Sequence, residues 1–114
     1  MRPGLAALFS CLLTTAAAAH AFLQHAEPGA GASLKSAPKQ VMLNFSEALE
    51  PSFSGAEVTD ANGHDVEAAA AAVSGTSIHA ALKPLAPGQY RVKWHAVSVD
   101  SHRTEGQFSF TVQP

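Results

Sequence analysis

The chain has 114 residues, which suffices for one domain and excludes two domains of ordinary size. Its formal net charge is −2, and no basic run or stripe is present. These features argue against a nucleic-acid partner and against binding to an anionic membrane surface. Much of the 46% hydrophobic content is alanine, so six Phe, one Trp and one Tyr must carry much of the burial.

Residues 1–19 are predicted to be a cleaved export signal. Arg2 supplies a positive charge, residues 5–13 form an apolar run, and four alanines precede His20. Cleavage after Ala19 would leave a mature domain, residues 20–114, that begins at His20. The apolar run is too short for a membrane span. The alternative, a lipoprotein signal ending at Cys11, fits poorly because the apolar run before this cysteine is brief.

Beyond residue 19, short runs of alternating apolar residues predict an antiparallel β-structure. The predicted strands, in chain order, lie around residues 41–45, 56–58, 78–82, 90–96 and 108–112. Residues 27–38, rich in Pro, Gly, Ala and Ser, predict an irregular connection, and Asn62-Gly63 predicts a hairpin turn. The alanine-rich residues 68–72 predict a loop or a single turn. The whole indicates one all-β domain of about seven strands, a Greek-key β-sandwich of two sheets.

Histidine is the unusual component of this composition. The chain has six histidines, and after processing it would have no cysteine and one methionine, Met42. A metal site would therefore have nitrogen and oxygen ligands, which favour Cu(II), Ni(II) or Zn(II) and disfavour soft Cu(I).

His20 would be the first residue of the mature protein. Its free α-amine and its ring Nδ1 could then close a chelate around one metal ion, since a metal can displace the amine proton near neutral pH. The simpler alternative is that the residue following a signal is arbitrary.

Asp100-Ser101-His102 offers the second half of a site. These residues follow the longest strand at a turn before Gly106, so both side chains could project from the end of the sandwich. Asp and His two residues apart on extended backbone would point the same way. Together with His20 they would supply two imidazoles, an amine and a carboxylate, a set suited to tetragonal Cu(II). The alternative is an aspartate that caps a turn beside a solvated histidine.

The other histidines are predicted to be ordinary surface or strand-face residues: His25, His64, His79 and His95. Asp60, Asp65 and Glu67 are expected to form a solvated turn rather than a hard-cation site. No nucleophile, zinc-protease or phosphate-loop motif is present in the sequence.

Three stretches of the chain resemble the CopC-like family of periplasmic copper-binding proteins. They are His20-Ala21-Phe22-Leu23 with Pro28, residues 41–47 (Val-Met-Leu-Asn-Phe-Ser-Glu), and the block from Pro87-Gly88-Gln89-Tyr90 through Trp94 and residues 97–102 to Gly106-Gln107-Phe108. The resemblance implies a small cupredoxin- or Ig-like barrel in the periplasm. It also implies a Cu(II) site formed by His20, Asp100 and His102, with Glu47 as a weaker or outer partner.

The resemblance also bears on redox state and on partners. Some family members carry a Cu(I) site in a methionine-rich loop, whereas the corresponding residues 58–64 here contain His64 and no methionine. A CopD-like inner-membrane copper protein is the partner that the family implies.

The sequence thus predicts a monomeric periplasmic Cu(II) carrier or buffer that is not an enzyme. One alternative is a small copper oxidase or monooxygenase that uses the same N-terminal histidine brace. Another is an Ig-like interaction module with incidental histidines.

Overall fold

The computed structural model describes residues 21–114, so the predicted signal (residues 1–19) and His20 lie outside the described part of the chain. No helix within residues 21–114 is long and apolar enough to cross a bilayer. Apart from one short 3₁₀ turn, Pro51–Phe53, the regular elements of these residues are strands.

In the described part of the chain, eight strands form two four-stranded sheets packed face to face. One sheet has the order β1-β3-β6-β5 and the other the order β2-β8-β7-β4. The strands are β1 (Leu23–Glu27), β2 (Ser33–Leu34), β3 (Gln40–Phe45), β4 (Gly55–Thr59), β5 (Ala72–Ser74), β6 (Ser77–Ala81), β7 (Gly88–Val97) and β8 (Arg103–Val112). The predicted all-β sandwich is confirmed.

The five strands predicted from alternation are all present. In β3, for example, Val41, Leu43 and Phe45 are buried between the sheets, while Met42 and Asn44 lie on the outer face. The two longest strands, β7 and β8, pair over their whole length as an antiparallel hairpin. This hairpin carries the turn that contains Asp100 and His102.

The prediction of an irregular connection over residues 27–38 is wrong at two places. Glu27 ends β1, and Ser33–Leu34 forms β2, which pairs in parallel with Thr111 and Val112 of β8. A two-residue strand is too short to show alternation, and it forms because the edge of β8 supplies hydrogen-bonding partners. Similarly, the alanine-rich segment ends in a strand, since Ala72 begins β5 against β6.

The core lies between the sheets and is small. Its largest fully buried side chains are Phe110, Leu43, Ile78, Val41, Val58 and Val92. Two aromatic contacts join the larger rings: Tyr90 stacks on Phe110 at 5.5 Å between centroids, and Phe45 meets Trp94 edge to face at 5.1 Å.

The hairpin turn predicted at Asn62-Gly63 is present, but the three acidic residues near it differ in environment. Asp60 accepts hydrogen bonds from the backbone N–H groups of Asn62 and His64, both at 2.9 Å, as a turn residue should. Glu67, which we expected to be solvated, is half-buried and accepts a hydrogen bond from the Val58 N–H at 2.5 Å. Glu67 therefore satisfies a backbone donor on the exposed edge of β4.

Candidate metal centre

A tight turn joins β7 to β8 and brings the side chains of Asp100 and His102 together. The Ser98 N–H donates to the His102 carbonyl at 2.9 Å, and the Ser101 N–H donates to the Ser98 carbonyl at 2.8 Å. Ser101 has φ of 76°, in the left-handed region. His102 Nδ1 lies 3.3 Å from Asp100 Oδ1. The expectation of extended backbone between these residues is wrong, because it is the turn that makes them neighbours.

The Asp100 carboxylate contacts a buried serine. Ser98 is 1% exposed, and its hydroxyl donates a hydrogen bond to Asp100 Oδ1. This bond, helped by the contact with His102, lowers the pKa of Asp100 below its ordinary value against the opposing effect of desolvation. Sequence reasoning missed Ser98. The available signal was a polar residue at the next inward position after Tyr90, Val92, Trp94 and Ala96.

The first described residues reach the same end of the sandwich as this turn. Ala21 is fully buried, and its carbonyl accepts a hydrogen bond from Thr104 Oγ1 at 2.7 Å. The Phe22 N–H donates to Ser46 Oγ at 2.8 Å, and the Ser46 N–H donates to the Phe22 carbonyl at 2.9 Å. Thr104 is two residues beyond His102, so Ala21 is tied to β8, the strand that begins directly after His102.

Glu47 lies between residues that bond to Phe22 on one side and to the β7–β8 turn on the other. Its predecessor, Ser46, bonds to Phe22 as described above. Its successor, Ala48, accepts a hydrogen bond from the Val99 N–H at 3.2 Å, and Leu49 forms an isolated bridge with Ser98. Glu47 itself is half-buried. The structure thus brings Glu47, Asp100 and His102 to one end of the molecule.

These residues do not by themselves form a complete set of metal ligands. Within residues 21–114, no group of three or more His, Cys, Asp or Glu side chains is placed to hold a metal ion. Asp100 and His102 form a two-donor pair of one carboxylate and one imidazole, which suits Cu(II), Ni(II) or Zn(II). A full site would need further donors, and the predicted ligand His20 lies outside the described residues.

The remaining histidines lie at strand faces and turns, as predicted. His25 in β1 is exposed and lies 3.0 Å from Glu27, and His64 lies 3.7 Å from Asp60 in its turn. His79 and His95 are half-buried positions in β6 and β7. Among the described residues, none of these four joins a metal-binding group.

A surface cavity of about 480 Å³ is lined by residues of β4, β7 and β8, and neither Asp100 nor His102 is among them. Its lining alternates acidic and basic side chains: Glu57, Lys93, Arg103 and Glu105 among others. Such a mixed lining has no net preference for an anion or a cation. A metal ion needs converging donors rather than a large cavity, so the turn is the better candidate site.

The end that carries the pair also has exposed apolar side chains. Its exposed large apolar side chains are Phe22, Phe53 and Val99, each more than half exposed. Phe22 and Val99 flank the Glu47 segment through the backbone bonds given above. Phe53 follows Glu50, whose N–H donates to the Val97 carbonyl at 2.8 Å.

The chain is similar to known proteins over nearly its whole length. The family model of the CopC domain matches residues 23–113. Protein YobA of Escherichia coli (strain K12) is 39% identical over 117 residues, covering 99% of this chain and 94% of YobA. Copper resistance protein C of Pseudomonas syringae pv. tomato is 39% identical over 111 residues, covering 90% of this chain and 87% of that protein.

One relative is much longer than this chain. Copper transport protein CutJ of Bacillus subtilis (strain 168) is 33% identical over 109 residues, which cover 92% of this chain but 20% of CutJ. A region similar to this domain is therefore a minor part of that protein.

Solved structures share the two-sheet fold. The crystal structure of CopC from Methylosinus trichosporium OB3b has a TM-score of 0.77 and 34% identity, covering 83% of this chain and 95% of that chain. The structure of PcoC, a methionine rich copper resistance protein from Escherichia coli, has a TM-score of 0.74 and 37% identity, covering 83% and 100%.

Proposed function

Because the chain belongs to the CopC family, we propose that it is a periplasmic Cu(II) carrier or buffer in copper homeostasis or resistance. It binds one copper ion per monomer and catalyses no reaction. The observation that carries the proposal is the pairing of Asp100 and His102, at 3.3 Å, on the end where Ala21 is anchored. In a protein processed after Ala19, the residue joined to Ala21 carries the free amine.

The ligands that we propose are the α-amine and imidazole of His20, the Asp100 carboxylate and the His102 imidazole. Three nitrogens and one oxygen match the tetragonal preference of Cu(II). Glu47 is proposed as a weaker or outer partner, because its neighbours Ser46 and Ala48 bond to Phe22 and Val99 while Glu47 forms no three-residue group with the pair. After residue 19 the only thioether belongs to Met42 on β3, so this end lacks the soft donors that Cu(I) prefers.

A carrier must both bind copper and release it to another protein. Asp100 and His102 are about half exposed, so an incoming ligand could reach a metal held there. The exposed Phe22, Phe53 and Val99 around this end suit contact with a partner. In CutJ, a region similar to this chain belongs to a copper transport protein. We propose a CopD-like inner-membrane copper protein as the partner.

An oxidative copper enzyme is less well supported. Polysaccharide-active enzymes need an exposed platform to hold an extended substrate, and aromatic rings commonly provide one. Here Tyr90 is buried against Phe110, and Trp94 is partly buried and meets Phe45 edge to face, so the described residues show no exposed platform of several aromatic rings. The Asp100 carboxylate would also stabilise Cu(II) against reduction.

The test compares the mature protein that begins at His20 with a version that has one alanine added before it. Titration with Cu(II) should show one tight site in the first protein and much weaker binding in the second, because the addition converts the amine into an amide. Electron paramagnetic resonance reports the donor set. Equal binding by the two proteins would overturn the amine-plus-imidazole site.

A further inference from the structure

Two side-chain hydroxyls hold the chain where it enters the fold. Thr104 Oγ1 donates to the Ala21 carbonyl at 2.7 Å, and Ser46 Oγ accepts from the Phe22 N–H at 2.8 Å. The two hydroxyls come from different sheets, because Thr104 belongs to β8 and Ser46 directly follows β3. Ala21 and Phe22 are therefore bonded to one hydroxyl from each sheet.

The sheet ladder alone does not provide this anchorage. Strand β1 begins at Leu23, and its register with β3 shifts between Leu23 and His25. Residues at a chain end are usually poorly ordered unless they are tied down. Ala21 is nonetheless fully buried. The hydrogen bond that Thr104 Oγ1 donates and the one that Ser46 Oγ accepts, together with the backbone bond from the Ser46 N–H to the Phe22 carbonyl, supply the tie that the irregular start of β1 lacks.

We propose that Thr104 and Ser46 are positioning residues for the amino-terminal half of the Cu(II) site. They do so by fixing Ala21 and Phe22, the residues that follow His20, at the end of the sandwich that carries the Asp100–His102 pair. This inference rests on the proposed function. Thr104 has the more direct effect, because its strand β8 begins directly after His102 and its hydroxyl bonds to the residue joined to His20.

The physical basis is pre-organisation. A chelating end that is free to move must be ordered when the metal binds, and that ordering reduces affinity. An end held in place beforehand avoids this loss. We expect removal of the Thr104 hydroxyl to weaken Cu(II) binding about tenfold, within the roughly 10–100-fold range seen when a group supporting a metal ligand is lost.

The principal variant is Thr104→Val, which keeps the shape of the side chain and removes its hydroxyl. The matched control is Thr111→Val, the same change at the far end of β8. We expect Thr104→Val to bind Cu(II) about tenfold more weakly with an altered paramagnetic resonance spectrum, and Thr111→Val to resemble the unchanged protein. Thr104→Ser, which retains a hydroxyl, should restore both the affinity and the spectrum.

Ser46→Ala tests the second contact independently and should weaken binding in the same direction. A further measurement separates positioning from general stability. In the protein with an alanine added before His20, the amine no longer serves as a ligand, so Thr104→Val should cause little additional loss. A purely structural effect of Thr104 would weaken binding by the same factor in both backgrounds.

The outcomes are distinguishable. If the unchanged protein binds one Cu(II) and folded Thr104→Val matches it in affinity and spectrum, the positioning role is overturned while the proposed function stands. If Thr104→Ser fails to restore binding, the hydroxyl is not the reason and the inference also fails. If the unchanged protein beginning at His20 binds no Cu(II), the proposed function and this inference fail together.

Discussion

Trp94 and Gly106 are directly opposite partners in the β7–β8 hairpin, and the indole ring occupies the space that a side chain at residue 106 would need. A Cβ atom on Gly106 would lie 2.7 Å from Trp94 Cζ2, closer than real contacts allow. On its other side, the indole meets Phe45 of the facing sheet. The lack of a side chain at residue 106 therefore lets Trp94 join the two sheets.

Replacing Gly106 by alanine should consequently destabilise the fold. Overpacking of this kind typically costs about 1–3 kcal/mol of unfolding free energy. Urea unfolding followed by Trp94 fluorescence would measure the loss. Gly29→Ala is the control, because its added Cβ would find only an ordinary 3.7 Å contact. Equal stability of the two variants would show that the hairpin rearranges around the indole at little cost in free energy.

The bond from Ser98 should control the ionisation of Asp100. Ser98→Ala removes the main cause of the lowered Asp100 pKa, so that pKa should rise toward its ordinary value near 3.8. A lowered folded-state pKa stabilises the fold above the unfolded-state pKa, and the stabilisation disappears as pH falls through the folded-state value. The variant should therefore be less stable than the unchanged protein at neutral pH, by a margin that shrinks in acid.

Carboxyl-carbon resonances of the metal-free protein would follow this titration. Asp60 is the internal reference, because its lowered pKa comes from its own turn, chiefly the His64 N–H. An unchanged Asp100 midpoint in Ser98→Ala would contradict the role assigned to the serine.

The proposed ligands should differ in how much each contributes to Cu(II) affinity. His102→Ala and Asp100→Asn should each weaken Cu(II) binding by more than about tenfold, because each removes a donor. Glu47→Gln should have a smaller effect. His64→Ala serves as a control. His64 is exposed and lies in the turn that follows the last residue of β4, Thr59. Isothermal titration would give the affinities, and a ranking with Glu47 first would require a different donor set.

Binding should also depend on pH. Amine and imidazole donors must lose their protons to bind a metal, and an ordinary imidazole does so near pH 6.5. We expect Cu(II) affinity to fall as pH drops through about 6. Competition titrations at pH 5 and pH 7.5 would measure the change. Equal affinity at these two values would argue against imidazole ligands.

Glu67 should affect stability in the opposite direction to Asp100. Burial raises its pKa, and the hydrogen bond from Val58 only partly offsets this effect. A raised folded-state pKa means that the favourable contribution is present below the unfolded-state pKa and is lost as pH rises through the folded-state value. Glu67→Gln keeps an acceptor for the Val58 N–H, so it should equal or exceed the unchanged protein in stability at pH 7.

The advantage of Glu67→Gln should disappear in acid, where Glu67 itself is protonated. Glu67→Leu removes the acceptor as well, and it should cost about 1–3 kcal/mol by leaving the Val58 N–H without that partner. Thermal unfolding between pH 3 and pH 8 would compare the two variants. A Glu67→Gln protein that is less stable at pH 7 would show that the carboxylate charge favours the fold.

The sequence by itself determined the strands with enough residues to alternate. Val41, Leu43 and Phe45 indicate their own buried face, because side chains in a strand point to opposite sides in turn. The short strands β2 and β5 carry no such pattern. They form only where β8 and β6 present partners. The family and the all-β sandwich could likewise be inferred from the sequence, and both are confirmed.

The residues of the candidate site were likewise predictable from the sequence only in part. Residue type and spacing were enough to nominate Asp100 and His102 as donors, and their role in binding copper stays a prediction together with that of His20. Tertiary structure alone identified Ser98 beneath Asp100 and Thr104 against Ala21, the latter across 83 residues of sequence. A hydroxyl shows no preference for a distant backbone partner until the fold places that partner within hydrogen-bonding distance.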